Sequence, residues 1–121
     1  MGVVAELAIR ELDFEARFDA ATCAFALTGN ADSSVAQQLQ ALVHAIHDGA
    51  GPAAVAVDLR NVEFMAASCF NTFVVWVGLI NELPIERRYE LRFAINPAVP
   101  WQKRSLATLT CFATDIVKVE Q

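Results

Sequence analysis

Charge is scarce in this chain. Asp, Glu, Lys and Arg make up only 19% of its 121 residues, and 9 basic against 14 acidic side chains leave a net charge of −5. An acidic chain without a basic block repels phosphate backbones, which argues against nucleic-acid binding. Arg87-Arg88 and Lys103-Arg104 are isolated pairs, too short to form a basic patch. Long apolar runs are also missing. The longest, Phe73 to Ile80, falls far short of the ~20 residues a membrane span needs, so no membrane insertion is expected. The three cysteines, Cys23, Cys69 and Cys111, are odd in number and lack a Cys-x-x-Cys spacing. They read as reduced thiols of a cytoplasmic protein. The five glycines never take the spacing of a dinucleotide or phosphate loop. His44 and His47 stand three apart without a third ligand, so they read as surface residues and no metal or other cofactor is expected. Met1 to Arg10 has acids and no basic region, unlike a secretory leader, and Glu6 stands where myristoylation wants Ser or Thr.

Apolar character is abundant instead. Hydrophobic residues reach 55% and mean hydropathy is +0.38, which excludes a disordered chain. A chain of this mass folds to ~6,400 Å² against ~19,000 Å² extended, enough burial for a core without disulfides or a metal. Residues 1–121 therefore read as one domain. So greasy a small domain is expected to turn some apolar surface toward a partner.

Turn residues cut the chain into short elements. Leu7 to Phe14 and Cys23 to Leu27 read as two early strands joined through Asp19-Ala20-Ala21, with Phe14, Ala16 and Phe18 in alternation. Asp32 or Ser33 caps a helix whose apolar stripe is Val35, Leu39, Leu42, Val43 and Ile46, ending near Gly49. Ala53 to Leu59 reads as a central strand buried on both faces. Asn61 to Met65 follows as a short connection, and Ser68 caps a second helix. That helix, with Phe70, Phe73, Val74, Trp76, Val77 and Ile80, is apolar nearly all round, so it lies deep in the core or under another chain. Tyr89 to Ile95 reads as a strand, Pro100 opens a short helix with Leu106 and Leu109 inward, and Ile116 to Val119 closes as an edge strand. The order implies an α/β fold: a small, mostly parallel or mixed sheet of four to six strands with helices packed against it.

At this level the chain resembles the STAS domain, the fold of bacterial anti-sigma factor antagonists. Leu27-Thr28-Gly29-Asn30-Ala31-Asp32 matches that family's Leu-x-Gly-x-x-Asp turn before the first helix. Val57-Asp58-Leu59 and Val62-Glu63-Phe64 match its strand and Val-x-Phe segment. Its Asp-Ser-Ser-Gly-Leu signature falls on Ala66-Ala67-Ser68-Cys69-Phe70. The likeness in pattern and element order runs over residues 5 to 119. Ser68 stands at the serine that partner kinases phosphorylate, while Ala66, Ala67 and Cys69 replace the acid, the first serine and the glycine. A cysteine side chain narrows the approach to a partner backbone that glycine leaves open.

The resemblance implies a non-enzymatic regulatory domain in signal transduction that binds a protein partner. The partner would be an anti-sigma or serine-kinase-type ATPase, or another STAS domain, with a homodimer included. Ser68 is the phosphoacceptor candidate, and Asp32, Ala66, Ala67, Cys69, Phe70 and Trp76 are partner-binding candidates. The bland reading of Ser68 is a helix cap worth ~0.5–2 kcal/mol. The functional reading is a switch, since phosphate adds ~1.5–2 negative charges that a helix N-terminus tolerates and a docked partner does not. Cys69 reads as a packed thiol, and Cys23 and Cys111 as core. Trp76 divides evenly between core and interface, while Trp101 reads as half exposed. Ser68, His44 and Asp58 supply the residue types of a hydrolase triad without a nucleophile elbow. Two rivals stand beside this reading: a subunit bracing an ABC-type lipid-transport ATPase, and a small ligand-binding module or enzyme.

Overall fold

The N-terminal apolar alternation resolves into a three-stranded meander. The computed structural model describes residues 7–49 and 54–120. The Met1 to Glu6 segment, the Gly51-Pro52 break and Ala53 lie outside them. β1 (Leu7–Arg10), β2 (Phe14–Asp19) and β3 (Ala24–Ala31) pair antiparallel in sequence order. The single strand expected from Leu7 to Phe14 is thus two, because the chain turns at Glu11 to Asp13, where Glu11 N donates to Phe14 O at 2.8 Å. Asp19 to Ala21 does form the next turn, with Asp19 Oδ1 accepting from Ala21 N at 3.0 Å. Cys23 ends that turn with φ +54°, half-buried, rather than in the core.

From β3 onward strand and helix alternate. Asp32 caps a 3-10 turn, Ser33–Val35, that leads into α1 (Ala36–Gly49), and the expected stripe of Leu39, Leu42, Val43 and Ile46 is buried. β4 (Val55–Met65), α2 (Ala67–Asn81), β5 (Leu91–Ala94), α3 (Pro100–Phe112) and β6 (Val117–Glu120) follow. The described strands form one six-stranded mixed sheet in the order β1-β2-β3-β4-β5-β6, parallel from β3 to β6. The α/β expectation is met at the upper end of its strand range. Three successive crossovers that each step one strand in the same direction place their helices on the same face of the sheet, given the right-handed rule. Burial agrees: Phe25, Leu27, Val55, Val57, Leu91 and Phe93 are buried, while Ala26, Ala56 and Arg92 on the other face are exposed. β4 is therefore buried on one face, not both.

Most of the apolar surface of α2 is covered by the domain itself, while Val75 stays exposed. Cys69, Phe73, Trp76, Val77 and Ile80 are buried, and Phe73 meets Phe93 edge-on at 5.3 Å between ring centroids. Trp76 is fully buried against Phe25, and its indole N–H donates to Tyr89 Oη at 2.8 Å. The same hydroxyl lies 2.6 Å from His47 Nδ1, so His47 is a half-buried bridge from α1 to the β5 approach rather than a wet surface residue. His44 remains exposed. Cys111 is exposed on α3, contrary to its core reading. Leu106 and Leu109 face inward as expected.

The segment expected as a connection, Asn61 to Met65, instead continues β4. Two register shifts against β3 let it run on as a bulged strand. β5 pairs only with Val55 to Asp58, so the far edge of β4 needs other partners. Gln102 supplies them. Fully buried, it donates through Nε2 to Leu59 O at 2.6 Å and Val62 O at 2.8 Å, while Oε1 accepts from Asn96 N at 2.8 Å. Trp101 Nε1 donates to Glu63 O at 3.0 Å.

Gly29 is the position at which the meander tolerates no side chain. Its φ is +101°, and a Cβ built there would stand 2.0 Å from Asp13 O, the carbonyl that accepts from Asn30 N at 2.7 Å. Gly29→Ala is expected to lower stability by roughly 3 kcal/mol in chemical denaturation, through left-handed strain and displacement of the β1–β2 turn. A second measurement uses the single tyrosine. Burial, and secondarily the Asp48 charge, push the Tyr89 hydroxyl up to about 12, against the lowering effect of the Trp76 N–H. Absorbance titration should give that midpoint in the native protein and about 10 in the unfolded chain. Since the folded state holds the proton more tightly, this contribution is complete below pH ~10. It falls by about 2–3 kcal/mol as pH rises through 12.

Candidate functional site

The carboxyl ends of β3 and β4 bring together the two segments singled out by sequence. Ala31 pairs with Met65, and Ala66 N donates to Ala31 O at 2.7 Å as the ladder ends. The turn into α1 and the start of α2 therefore emerge side by side. Cys69 ties them: its Sγ–H donates to the carbonyl of Asp32 at 3.1 Å, across 37 positions of sequence.

Asp32 is exposed and acts as the N-cap of the 3-10 turn before α1. Oδ1 accepts from Ser34 N at 2.9 Å and from the Ser34 hydroxyl in a very short bond. These two bonds, the hydroxyl first, hold the carboxyl below the usual aspartate range, so it presents a fixed negative charge rather than a transferable proton. Ser68 is not a cap. The N-cap of α2 is Ala66, with extended φ −65° and ψ 152° and no side-chain bond, and Ser68 lies within the first turn, exposed. The cap sits two residues earlier than expected because Cys69 N and Phe70 N already bond to Ala66 O, both at 3.0 Å.

Cys69 is fully buried. Burial first, then the Asp32 charge, push its thiol up, and the Ser68 hydroxyl only partly opposes them. A protonated thiol spent on a carbonyl is a packing group, not a nucleophile. The side chain points inward and leaves the Ser68 surface clear, so it does not narrow a partner's approach as its replacement of glycine implied. Cys69 and Trp76 offer a partner no side-chain surface. Ala67 is exposed, and Ala66 and Phe70 are half-buried.

Two apolar side chains at this end were not singled out by sequence reasoning. Phe64, 51% exposed, pairs with Asn30, and Leu12, 98% exposed, caps the β1–β2 turn that rests on Gly29. Phe64 was legible in principle: if β4 runs through Met65 and that side chain points inward, its neighbour points out. Trp101 is half-exposed nearby over Glu63. Asp32, Ser68, Phe64 and Leu12 thus mark an end with one fixed anion, one exposed serine and two exposed apolar side chains.

Asp58 is bound to Arg60 on the helix-free sheet face, whereas His44 is exposed on α1, so the triad residue types do not converge. Among the described residues no group of three or more His, Cys, Asp or Glu could hold a metal ion. No helix among them is long and apolar enough to cross a membrane. Comparison with family models, curated proteins and solved structures returns no match to this chain.

The observed caps can be tested by paired substitutions. Ala66→Ser should stabilise the domain by about 0.5–1 kcal/mol, because it places an acceptor at an extended N-cap that lacks one. Ser68→Ala should stay within about 0.5 kcal/mol of the parent in the same denaturation experiment. The reverse ranking would restore Ser68 as the cap.

Proposed function

We propose that this chain is a non-enzymatic regulatory domain of the STAS type, which binds a protein partner through the end carrying Asp32, Ser68 and Phe64. The observation that carries the reading is the placement of Ser68: exposed in the first turn of α2, with capping left to the backbone of Ala66. A serine that the fold does not need as a cap is available for modification. Phosphate there would gain from the unpaired N–H groups and positive end of α2, so the domain itself would tolerate it. A docked partner would have to desolvate a dianion beside the fixed charge of Asp32, on a domain already at −5. The partner class that fits is an ATP-dependent serine kinase of the anti-sigma type, in the cytoplasm, with modification releasing the complex. Exposed Phe64 and Leu12 supply apolar contact at the same end.

Incubation of the chain with such a kinase from its own host and ATP, followed by mass-spectrometric mapping, should place stoichiometric phosphate on Ser68. In titration calorimetry, Ser68→Glu should bind that kinase roughly two to three orders of magnitude more weakly than Ser68→Ala. Phosphate confined to other residues, or equal affinities of the two variants, would overturn the reading.

A further inference from the structure

Three polar side chains meet near the amino ends of β4 and β5, away from the Ser68 end. His47 comes from the last turn of α1, Trp76 from the middle of α2, and Tyr89 from the approach to β5. Trp76 and Tyr89 are buried and His47 is half-buried. Trp76 Nε1 lies 2.8 Å and His47 Nδ1 2.6 Å from one oxygen, Tyr89 Oη. The imidazole and phenol rings are tilted by 42°, with centroids 5.8 Å apart.

Donor counting fixes the direction of both bonds. An indole N–H only donates, so Tyr89 Oη accepts from Trp76. The phenol owns a single proton and keeps it, since burial pushes that hydroxyl up to about 12. Among the described residues that proton has one acceptor, the ring nitrogen of His47. Nδ1 therefore carries a lone pair, and the neutral ring carries its proton on Nε2. The other tautomer would leave a buried O–H unsatisfied.

This relay exists in one charge state. An imidazolium has an N–H on both nitrogens, so Nδ1 becomes a donor facing an oxygen whose own proton has lost its acceptor. The helix C-terminus and neighbouring Asp48 favour the charged ring, but they act at a wet surface, whereas the orphaned hydroxyl is inside. The half-buried ring resolves the conflict by turning toward water, which unfastens the last turn of α1 from α2. Other charges around the cluster are held elsewhere. Arg92 Nε is 3.1 Å from Glu90 Oε1, and Arg88 donates to Leu83 O and Asn81 O. Asp115 lines the same cleft as Tyr89, His44 is exposed one turn earlier on α1, and α2 carries no charged residue.

We propose that His47, Tyr89 and Trp76 form a proton-sensitive clasp, closed while His47 is the neutral Nε2–H tautomer and opened when its imidazole takes up a proton. The clasp lies roughly 20 Å along α1 from the turn that Asp32 caps, so this inference is independent of the proposed function.

Nitrogen NMR of the full chain at about pH 8 should show His47 protonated on Nε2 alone, and the Nδ1–H tautomer there would overturn the proposal. Histidine changes charge between about pH 8 and pH 5. Over that interval, protection from hydrogen exchange should fall about tenfold at the Trp76 indole N–H and at the amides of Ile46 to Gly49, matching the loss of one buried hydrogen bond. His47→Asn keeps an acceptor near the Nδ1 position and takes up no proton, so its protection should stay constant. Asp48→Asn and His44→Gln should both retain the loss. Tyr89→Phe should be weakly protected at both ends of the interval, with thermal melting to confirm folding; where it does not fold, the His47→Asn comparison decides. An unchanged parent, an equal loss in His47→Asn, or a loss abolished by Asp48→Asn or His44→Gln overturns the clasp.

Discussion

The hydrogen bond from Ala66 N to Ala31 O, at 2.7 Å, is the constraint on which the end carrying Asp32 and Ser68 depends. It closes the parallel ladder between β3 and β4 and launches both helices from adjacent points. Because both chains must leave the sheet there, the turn holding Asp32 and the first turn of α2 are held in contact, and the buried Cys69 thiol closes the gap between them. A buried thiol as a packing and weak hydrogen-bonding group suits such a seam better than a larger polar residue would. The surface left outside is the exposed side of the same turn, where Ser68 lies. Capping by backbone alone leaves α2 less tightly begun but leaves the serine available.

β4 meets its hydrogen-bonding needs in two ways along its length. Its first part is an ordinary central strand between β3 and β5. Beyond Asp58 the β5 ladder stops, the strand bulges, and its carbonyls would face an apolar interior unpaired. Gln102 and Trp101, adjacent at the start of α3, serve as a substitute for a missing strand. One side-chain amide with two donors and an acceptor can satisfy several backbone groups where a continuous strand cannot follow the bend. Pro100 fits this arrangement, since the first helical position needs no N–H of its own. Bulge, glutamine and helix start thus form one unit that holds the end of β4 in the direction α2 requires.

The domain is polarised in its surfaces. The helical face and the sheet's inner face consume most of the apolar residues, including the whole of Trp76. What remains apolar outside lies at loop, strand and helix ends such as Leu12, Phe64, Ile85 and Phe112, and at Val75 on α2.

Periodicity made the architecture legible. The stripe of α1, the inward Leu106 and Leu109 of α3, the edge position of β6 and the alternation of strand and helix all follow from local apolar spacing. Gly29 was visible as a break, but its reason, a carbonyl 2.0 Å from where its Cβ would stand, needed the β1–β2 turn folded against it. Local pattern misled wherever a residue's role was set by a distant partner. Asn61 to Met65 looked like a loop because bulges disturb the period of two, and His47 looked wet because Tyr89 lies 42 positions away. Ser68 looked like a cap because composition alone cannot tell which of three consecutive residues takes the extended dihedrals. The residue order by itself determined the three helices, the alternation of strand and helix and which sides of the helices are apolar, since that information is carried by neighbours along the chain. Only tertiary structure decided which of Cys69, Trp76, Phe64 and Ser68 faces outward, because exposure depends on what long-range contacts place on top.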